Sequence, residues 1–107
     1  MKKEHLGELE ELVLLLIVML KEGAYGFALR GALKTHANRT MSIGSVHGTV
    51  NRLEGKGLIK SVLSEATEVR GGRRKRIFTI TASGTTALQK SRDVKIHLWA
   101  QIPELSF

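Results

Sequence analysis

Five cationic side chains lie within the seven residues from Arg70 to Arg76. Guanidinium groups bind phosphate oxygens through paired hydrogen bonds, so such a run is typical of a contact with nucleic-acid backbone. The expected phosphate contacts are Arg73, Arg74, Lys75 and Arg76. Two alternatives stay open: Arg76 begins a strand and points elsewhere, or the whole run is a solvated loop.

The segments on either side of this basic run have the composition of strands, from 58 to 64 and from 76 to 81. The glycines at 71 and 72 interrupt the run, and together the three segments predict a β-hairpin with a basic tip. Upstream, residues 42–57 predict a short amphipathic helix. A helix followed by a cationic hairpin is the order of parts in a winged helix-turn-helix, in which the helix enters a major groove of DNA.

Ser42 is a good N-cap for this helix, because its hydroxyl can accept a hydrogen bond from the amide of Gly44 or Ser45. At about 100° per residue, the apolar residues fall on one face and small or polar residues on the other. The candidate contacts with DNA bases and backbone on that outer face are Ser42, Ser45, His47, Gly48, Thr49 and Arg52. An ion pair between Arg52 and an acidic residue of the protein is the alternative for that side chain.

Two helices are predicted before this one. The first, from about 6 to 21, contains nine consecutive apolar residues, too few for a bilayer span of about 20, and we expect a core helix covered on several sides. Acidic residues before the apolar run also do not fit a signal peptide. The second places Tyr25 and Leu29 on one buried face. The Tyr25 hydroxyl could instead meet a phosphate.

The last predicted helix runs from about Ala82 to Ile102, with Thr81 or Ser83 as its cap and Pro103 after it. Its apolar stripe has no later element to cover it, which favours packing on a second subunit. The expected dimerisation residues are Leu88, Val94, Leu98 and Ile102. Trp99, the single tryptophan, either packs in that interface or flanks an effector cavity at the dimer seam.

The composition limits the classes of function. A chain of 107 residues with net charge +7 forms one domain and favours a polyanionic partner. The absence of cysteine excludes disulfides and thiolate metal sites, and suits a cytoplasmic protein. The four histidines are scattered, without paired carboxylates or ligand spacing. We therefore expect no enzyme activity, no metal, no cofactor and no membrane partner.

Several segments in this order resemble the PadR family of bacterial transcriptional regulators. They are residues 9–20, 24–26, 41–46, 52–59, 71–76 and 79–84. The family usually has tyrosine at the position of His47 and often proline at that of Gly48, so the resemblance does not extend to a preferred operator sequence.

The resemblance implies a mainly α fold with a small β-hairpin: a winged helix-turn-helix over 1–81 and a C-terminal dimerisation helix over 82–107 in the same compact unit. It also implies a homodimeric repressor that binds double-stranded DNA. A small aromatic or lipophilic effector would relieve the repression. An RNA-binding or a protein-interacting winged helix is the alternative function.

Overall fold

A computed structural model describes residues 5–64 and 74–105, and this part of the chain contains four α-helices and one antiparallel hairpin. Their bounds are α1 Glu8–Leu20, α2 Gly26–Ala37, α3 Ile43–Gly55, β1 Ile59–Leu63, β2 Arg76–Ile80 and α4 Ala82–Ala100. Short 3-10 turns cover Lys21–Gly23 and Pro103–Leu105. The mainly helical winged fold is confirmed, with each predicted bound within about two residues of the observed one.

The predicted helix caps form as expected. The Ser42 hydroxyl accepts a hydrogen bond from the amide of Ser45 at 3.0 Å, which fixes the start of α3. Thr81 caps α4 by accepting from the amide of Gly84 at 3.1 Å. After α3, Gly57 turns the chain into β1 with φ of +75°, a conformation that glycine adopts at little cost.

The core lies where α1, α2, α3 and the inner face of the hairpin meet. Phe78 of β2 is the largest fully buried side chain, and the Phe78 amide donates to the carbonyl of Ala24 at 2.8 Å. This bond attaches the hairpin to the segment between α1 and α2. The other residues that are at least 98 % buried are Val13, Leu14, Ile17, Ala24, Leu29, Leu33, Val46, Thr49, Val50, Leu53, Leu58 and Ile59.

One expectation for α1 is corrected. The helix was predicted to be covered on several sides, but Leu15, Val18 and Met19 are each nearly half exposed. The face with Val13 and Ile17 packs on the core, whereas the opposite face is only partly covered, by a cavity that it lines together with α4. None of the described helices is long and apolar enough to pass through a bilayer.

Helix α4 is buried against the rest of the described chain only near its start. Gly84 and Ala87 are buried, whereas every residue from Arg92 to Ala100 is exposed. The helix has 19 residues and is therefore about 28 Å long. The nine exposed residues Arg92–Ala100 make up just under half of the helix.

Candidate nucleic-acid interface

The outer face of α3 is the first part of the candidate interface. Ser42, Ser45 and His47 are exposed, and Gly48 is half-buried, as the helical period predicts. The hydroxyls of Ser42 and Ser45 also hydrogen-bond each other at 3.0 Å. Asn51, which we did not select from the sequence, is exposed on the same face. The face is therefore small, polar and open.

Thr49 does not belong to this outer face, which corrects its predicted place. Its side chain is completely buried. Three residues correspond to 300° around the helix, so Thr49 lies only about 60° from Val46 and within the buried arc of α3. Its hydroxyl donates to the Ser45 carbonyl at 2.9 Å and accepts from Nη2 of Arg52 at 3.2 Å.

Arg52 forms the ion pair that the sequence offered as its alternative role and still keeps an exposed side chain. Its Nε lies 3.3 Å from Oε2 of Glu10, so it pairs with an acidic residue of the protein. Its side chain is nevertheless 57 % exposed. Its Nη1 lies over Gly48, where an added Cβ would be 3.7 Å away. The guanidinium therefore lies on the outer face while its inner edge is anchored.

Glu10 is a further residue that sequence reasoning missed. Its side chain is only 8 % exposed, and its Oε1 accepts from the Gly7 amide at 2.9 Å and from Nζ of Lys56 at 2.7 Å. Burial alone would raise the pKa of Glu10, but the hydrogen bonds from Lys56, Gly7 and Arg52 lower that pKa below its usual value. The available signal was its position three residues before Val13, on the apolar face of α1.

The hairpin provides the second part of the interface. Arg74 and Lys75 are exposed beside the start of β2. The Lys75 ammonium lies 4.1 Å from the centroid of the Tyr25 ring, a cation–π contact between the hairpin and the N-cap of α2. Tyr25 is half-buried, an environment between the buried core position and the exposed phosphate contact that were its two predicted alternatives.

Arg76 and Arg73 differ from these two cations. Arg76 pairs with Glu54 and donates to the Ser61 hydroxyl at 3.0 Å, so its guanidinium is held against the protein. The alternative in which Arg76 begins a strand and points elsewhere therefore describes it better than a phosphate contact does. Arg73 lies outside the described residues.

A groove of about 420 Å³ joins the two parts of the interface. His47 and Asn51 of α3 line one wall, and Arg74 and Lys75 line the other. Gly26, the first residue of α2, leaves room for the His47 ring, because an added Cβ would stand 2.9 Å from its Nε2. The groove therefore presents polar side chains and cations together.

The predicted dimerisation residues lie in three places. Leu88 and Trp99 line a cavity of about 470 Å³ between α1 and α4. Val94 and Leu98 line a wider groove of about 850 Å³ on the other side of α4. Ile102 is half-buried beyond the helix end. Val94, Leu98 and Trp99 are each more than half exposed.

A second carboxylate ties α1 to α4. Glu11 accepts from Nζ of Lys95 at 2.5 Å and from the Ser91 hydroxyl at 2.8 Å. Burial alone would raise the pKa of Glu11, but the bonds from Lys95 and Ser91 lower that pKa below its usual value. Across residues 5–64 and 74–105, no three histidine or acidic side chains come together as a metal site.

Comparison with known proteins agrees with this arrangement. The model of the transcriptional regulator PadR-like family matches residues 14–90. A PadR-like transcription factor from Bacteroides fragilis is 22 % identical with a TM-score of 0.73, covering 92 % of this chain and 89 % of its own. A PadR-like transcriptional regulator from Bacillus cereus is 25 % identical with a TM-score of 0.73, covering 91 % and 89 %.

A structure with bound DNA is also similar. Bacillus subtilis PadR in complex with operator DNA is 16 % identical with a TM-score of 0.61, over 78 % of this chain and 45 % of that chain. No curated protein matches the chain.

Proposed function

Because the chain belongs to the PadR-like family of transcriptional regulators, we propose that it binds operator DNA as a homodimer and represses transcription until a small molecule relieves it. The observation that carries the proposal is the groove between α3 and the hairpin, with His47 and Asn51 on one side and Arg74 and Lys75 on the other. A recognition helix beside a cationic wing suits a major groove and its flanking phosphates.

In this proposal α3 enters the major groove. Ser45, His47, Asn51 and Arg52 approach the base edges, and Gly48 lets the helix backbone come close. Arg74 and Lys75 contact the phosphates, with Arg73 as a further contact outside the described residues. Thr49 is left out of the contact set because it is buried.

Exposed apolar surface supports the homodimer. Val94 and Leu98 on α4, together with Leu15 and Val18 on α1, are nearly half exposed or more in the single chain. Full burial of a leucine or isoleucine side chain contributes about 1.5–3 kcal/mol, so a symmetric pair of these helices has a strong drive to associate. A two-fold dimer also matches two half-sites on DNA.

The cavity beside Trp99 supports the effector. Its volume of about 470 Å³ falls within the range of about 300–1,000 Å³ for small-molecule pockets. Leu15, Val18 and Ile96 supply further apolar lining. A flat aromatic or lipophilic molecule would stack on the indole ring.

Because the proposed target is DNA, we propose that the protein acts in the cytoplasm. We propose no catalytic activity.

Binding to labelled duplexes tests this function. Fluorescence anisotropy would compare the DNA duplex upstream of the protein's own gene with a shuffled DNA duplex and with an RNA duplex of the same sequence. The proposal expects binding to the upstream DNA that is at least about 1,000-fold tighter than to the shuffled DNA. Equal affinity for all three duplexes, or a preference for RNA, would contradict it.

A further inference from the structure

We propose that Glu10 and Thr49 are positioning residues that hold the Arg52 guanidinium in the orientation in which it reads a base. The inference rests on the proposed function, because it assumes that the outer face of α3 meets DNA. Neither residue reaches the outer surface: Glu10 is 6 % exposed and Thr49 is completely buried. Their effect on DNA recognition would therefore pass through Arg52.

The contacts fix one edge of the guanidinium. Nε of Arg52 donates to Oε2 of Glu10 at 3.3 Å, and Nη2 donates to the Thr49 hydroxyl at 3.2 Å. Two contacts from different elements, α1 and α3, restrict rotation about the long side chain. A guanidinium group has five N–H donors, so these contacts leave three of them for other partners.

The free edge lies over the outer face of α3. Within residues 5–64 and 74–105, no hydrogen bond engages Nη1 of Arg52. Nη1 lies above Gly48, the place where a larger side chain would compete with it for space. Nη1 and the second N–H of Nη2 form the pair of donors that an arginine directs at O6 and N7 of guanine.

The Glu10 anchor is itself held firmly. Its other carboxylate oxygen accepts from the Gly7 amide and from Lys56, at 2.9 and 2.7 Å. Glu10 therefore cannot turn away from Arg52 without breaking two further hydrogen bonds. A binding group whose supporting residues are fixed is oriented before its target arrives.

A purely structural role for the Arg52 contact is less consistent with the distances. Lys56 also links α3 to Glu10, and its contact of 2.7 Å is shorter than the 3.3 Å of Arg52. Lys56, the C-cap of α3, therefore links α3 to α1 without any need for Arg52. The hydroxyl of Thr49 already donates to the Ser45 carbonyl, so it does not need Arg52 as a partner within the fold.

Selection from a pool of random DNA duplexes tests the inference. The wild type would be compared with Arg52→Ala, Glu10→Gln, Thr49→Val and Thr49→Ser, and with Lys95→Met as the matched control, which removes the ion pair of the neighbouring carboxylate Glu11 without touching Glu10 or Arg52. Thr49→Val keeps a similar shape, so it gives the answer if Glu10→Gln does not fold. Thermal unfolding of each variant would show which of them are folded at the temperature of selection.

We expect Arg52→Ala to abolish the preference for guanine at one position of each half-site, a loss of between about fivefold and 150-fold. Glu10→Gln and Thr49→Val should weaken the same preference by several-fold, whereas Thr49→Ser and Lys95→Met should retain it. Wild-type preferences in both Glu10→Gln and Thr49→Val would overturn this inference alone. A wild-type selection that enriches no sequence would overturn the proposed function as well.

Discussion

Gly84 lies directly against the backbone of Leu58. A Cβ added at Gly84 would stand 2.2 Å from the Leu58 carbonyl oxygen and 2.6 Å from Cγ1 of Ile80. The same Leu58 carbonyl accepts from the Thr81 amide at 3.0 Å. This close contact joins the start of α4 to the end of the segment that follows α3. It therefore sets the direction in which the proposed dimerisation helix leaves the DNA-binding unit.

We predict that Gly84→Ala lowers the free energy of unfolding by about 1–3 kcal/mol or more, because the new methyl group meets backbone that cannot move aside. Urea unfolding followed by circular dichroism measures the change. Gly31→Ala is the matched control, since nothing lies within 4 Å of its added Cβ and alanine favours a helix interior. That variant should be more stable by about 0.5–1 kcal/mol. Equal stability of Gly84→Ala and the wild type would contradict the packing at Leu58.

Two ion-paired carboxylates of α1, the buried Glu10 and the half-buried Glu11, predict an acid-sensitive fold. The folded-state pKa of Glu10 and of Glu11 lies below the ordinary value of 4.5, so the unfolded chain binds more protons between those values. Their contribution to stability is complete above pH 4.5 and is lost as the pH falls through the folded-state pKa. Urea unfolding from pH 6 to pH 3 should show this loss.

Glu10→Gln and Glu11→Gln should each reduce the dependence of stability on pH in that range, because a glutamine has no proton to gain. Glu10→Gln should also cost about 1–3 kcal/mol at pH 7, since Lys56 and Arg52 lose their charged acceptor. An unchanged pH dependence in both variants would show that these ion pairs do not hold α1 in place.

The hairpin cations predict a defined salt dependence of DNA binding. Each lost phosphate contact should reduce the slope of log affinity against log salt by about 0.9, so Arg74→Ala combined with Lys75→Ala should reduce it by about 1.8. Lys90→Ala removes an exposed cation of α4 and serves as the control. A wild-type slope in the double variant would exclude the hairpin as a phosphate contact.

The exposed apolar side chains of α4 predict a dimer interface. A charge placed in that interface should disrupt the dimer. Leu98→Asp should give a monomer in sedimentation at micromolar concentration, because a carboxylate in an apolar interface loses its hydration. The emission of Trp99, which is 52 % exposed in the single chain, should shift to shorter wavelength on association in the wild type and not in this variant. Val62→Asp, at a comparably exposed apolar position on β1, should leave the oligomeric state unchanged. A monomeric wild type would contradict both the dimer and a cavity at its seam.

Local patterns were enough to predict the elements and, apart from Thr49, the outer face of α3. The Ser42 cap, the helical period from Val46 to Leu53 and the hairpin all depend on residues close in the sequence. The charge contacts depend on distant ones: Glu10 and Arg52 are 42 residues apart, and Glu54 and Arg76 are 22 apart. No periodicity specifies such pairs, because they form only when separate elements pack together.

Thr49 shows a different limit of prediction from the sequence. Its hydroxyl suggested a surface position, but a threonine can satisfy that hydroxyl on the carbonyl four residues earlier and then pack as an apolar residue. The buried arc of α3 is therefore wider than its valines and leucine alone indicate.

The central claim is that the chain recognises operator DNA as a two-fold dimer, and a nuclease footprint tests it most directly. The wild type would be titrated onto the DNA upstream of its own gene at a fixed salt concentration. The account predicts two protected half-sites related by a two-fold axis, with centres about one helical turn or a multiple of it apart. Uniform protection along the fragment, or none at concentrations that saturate the anisotropy signal, would contradict it.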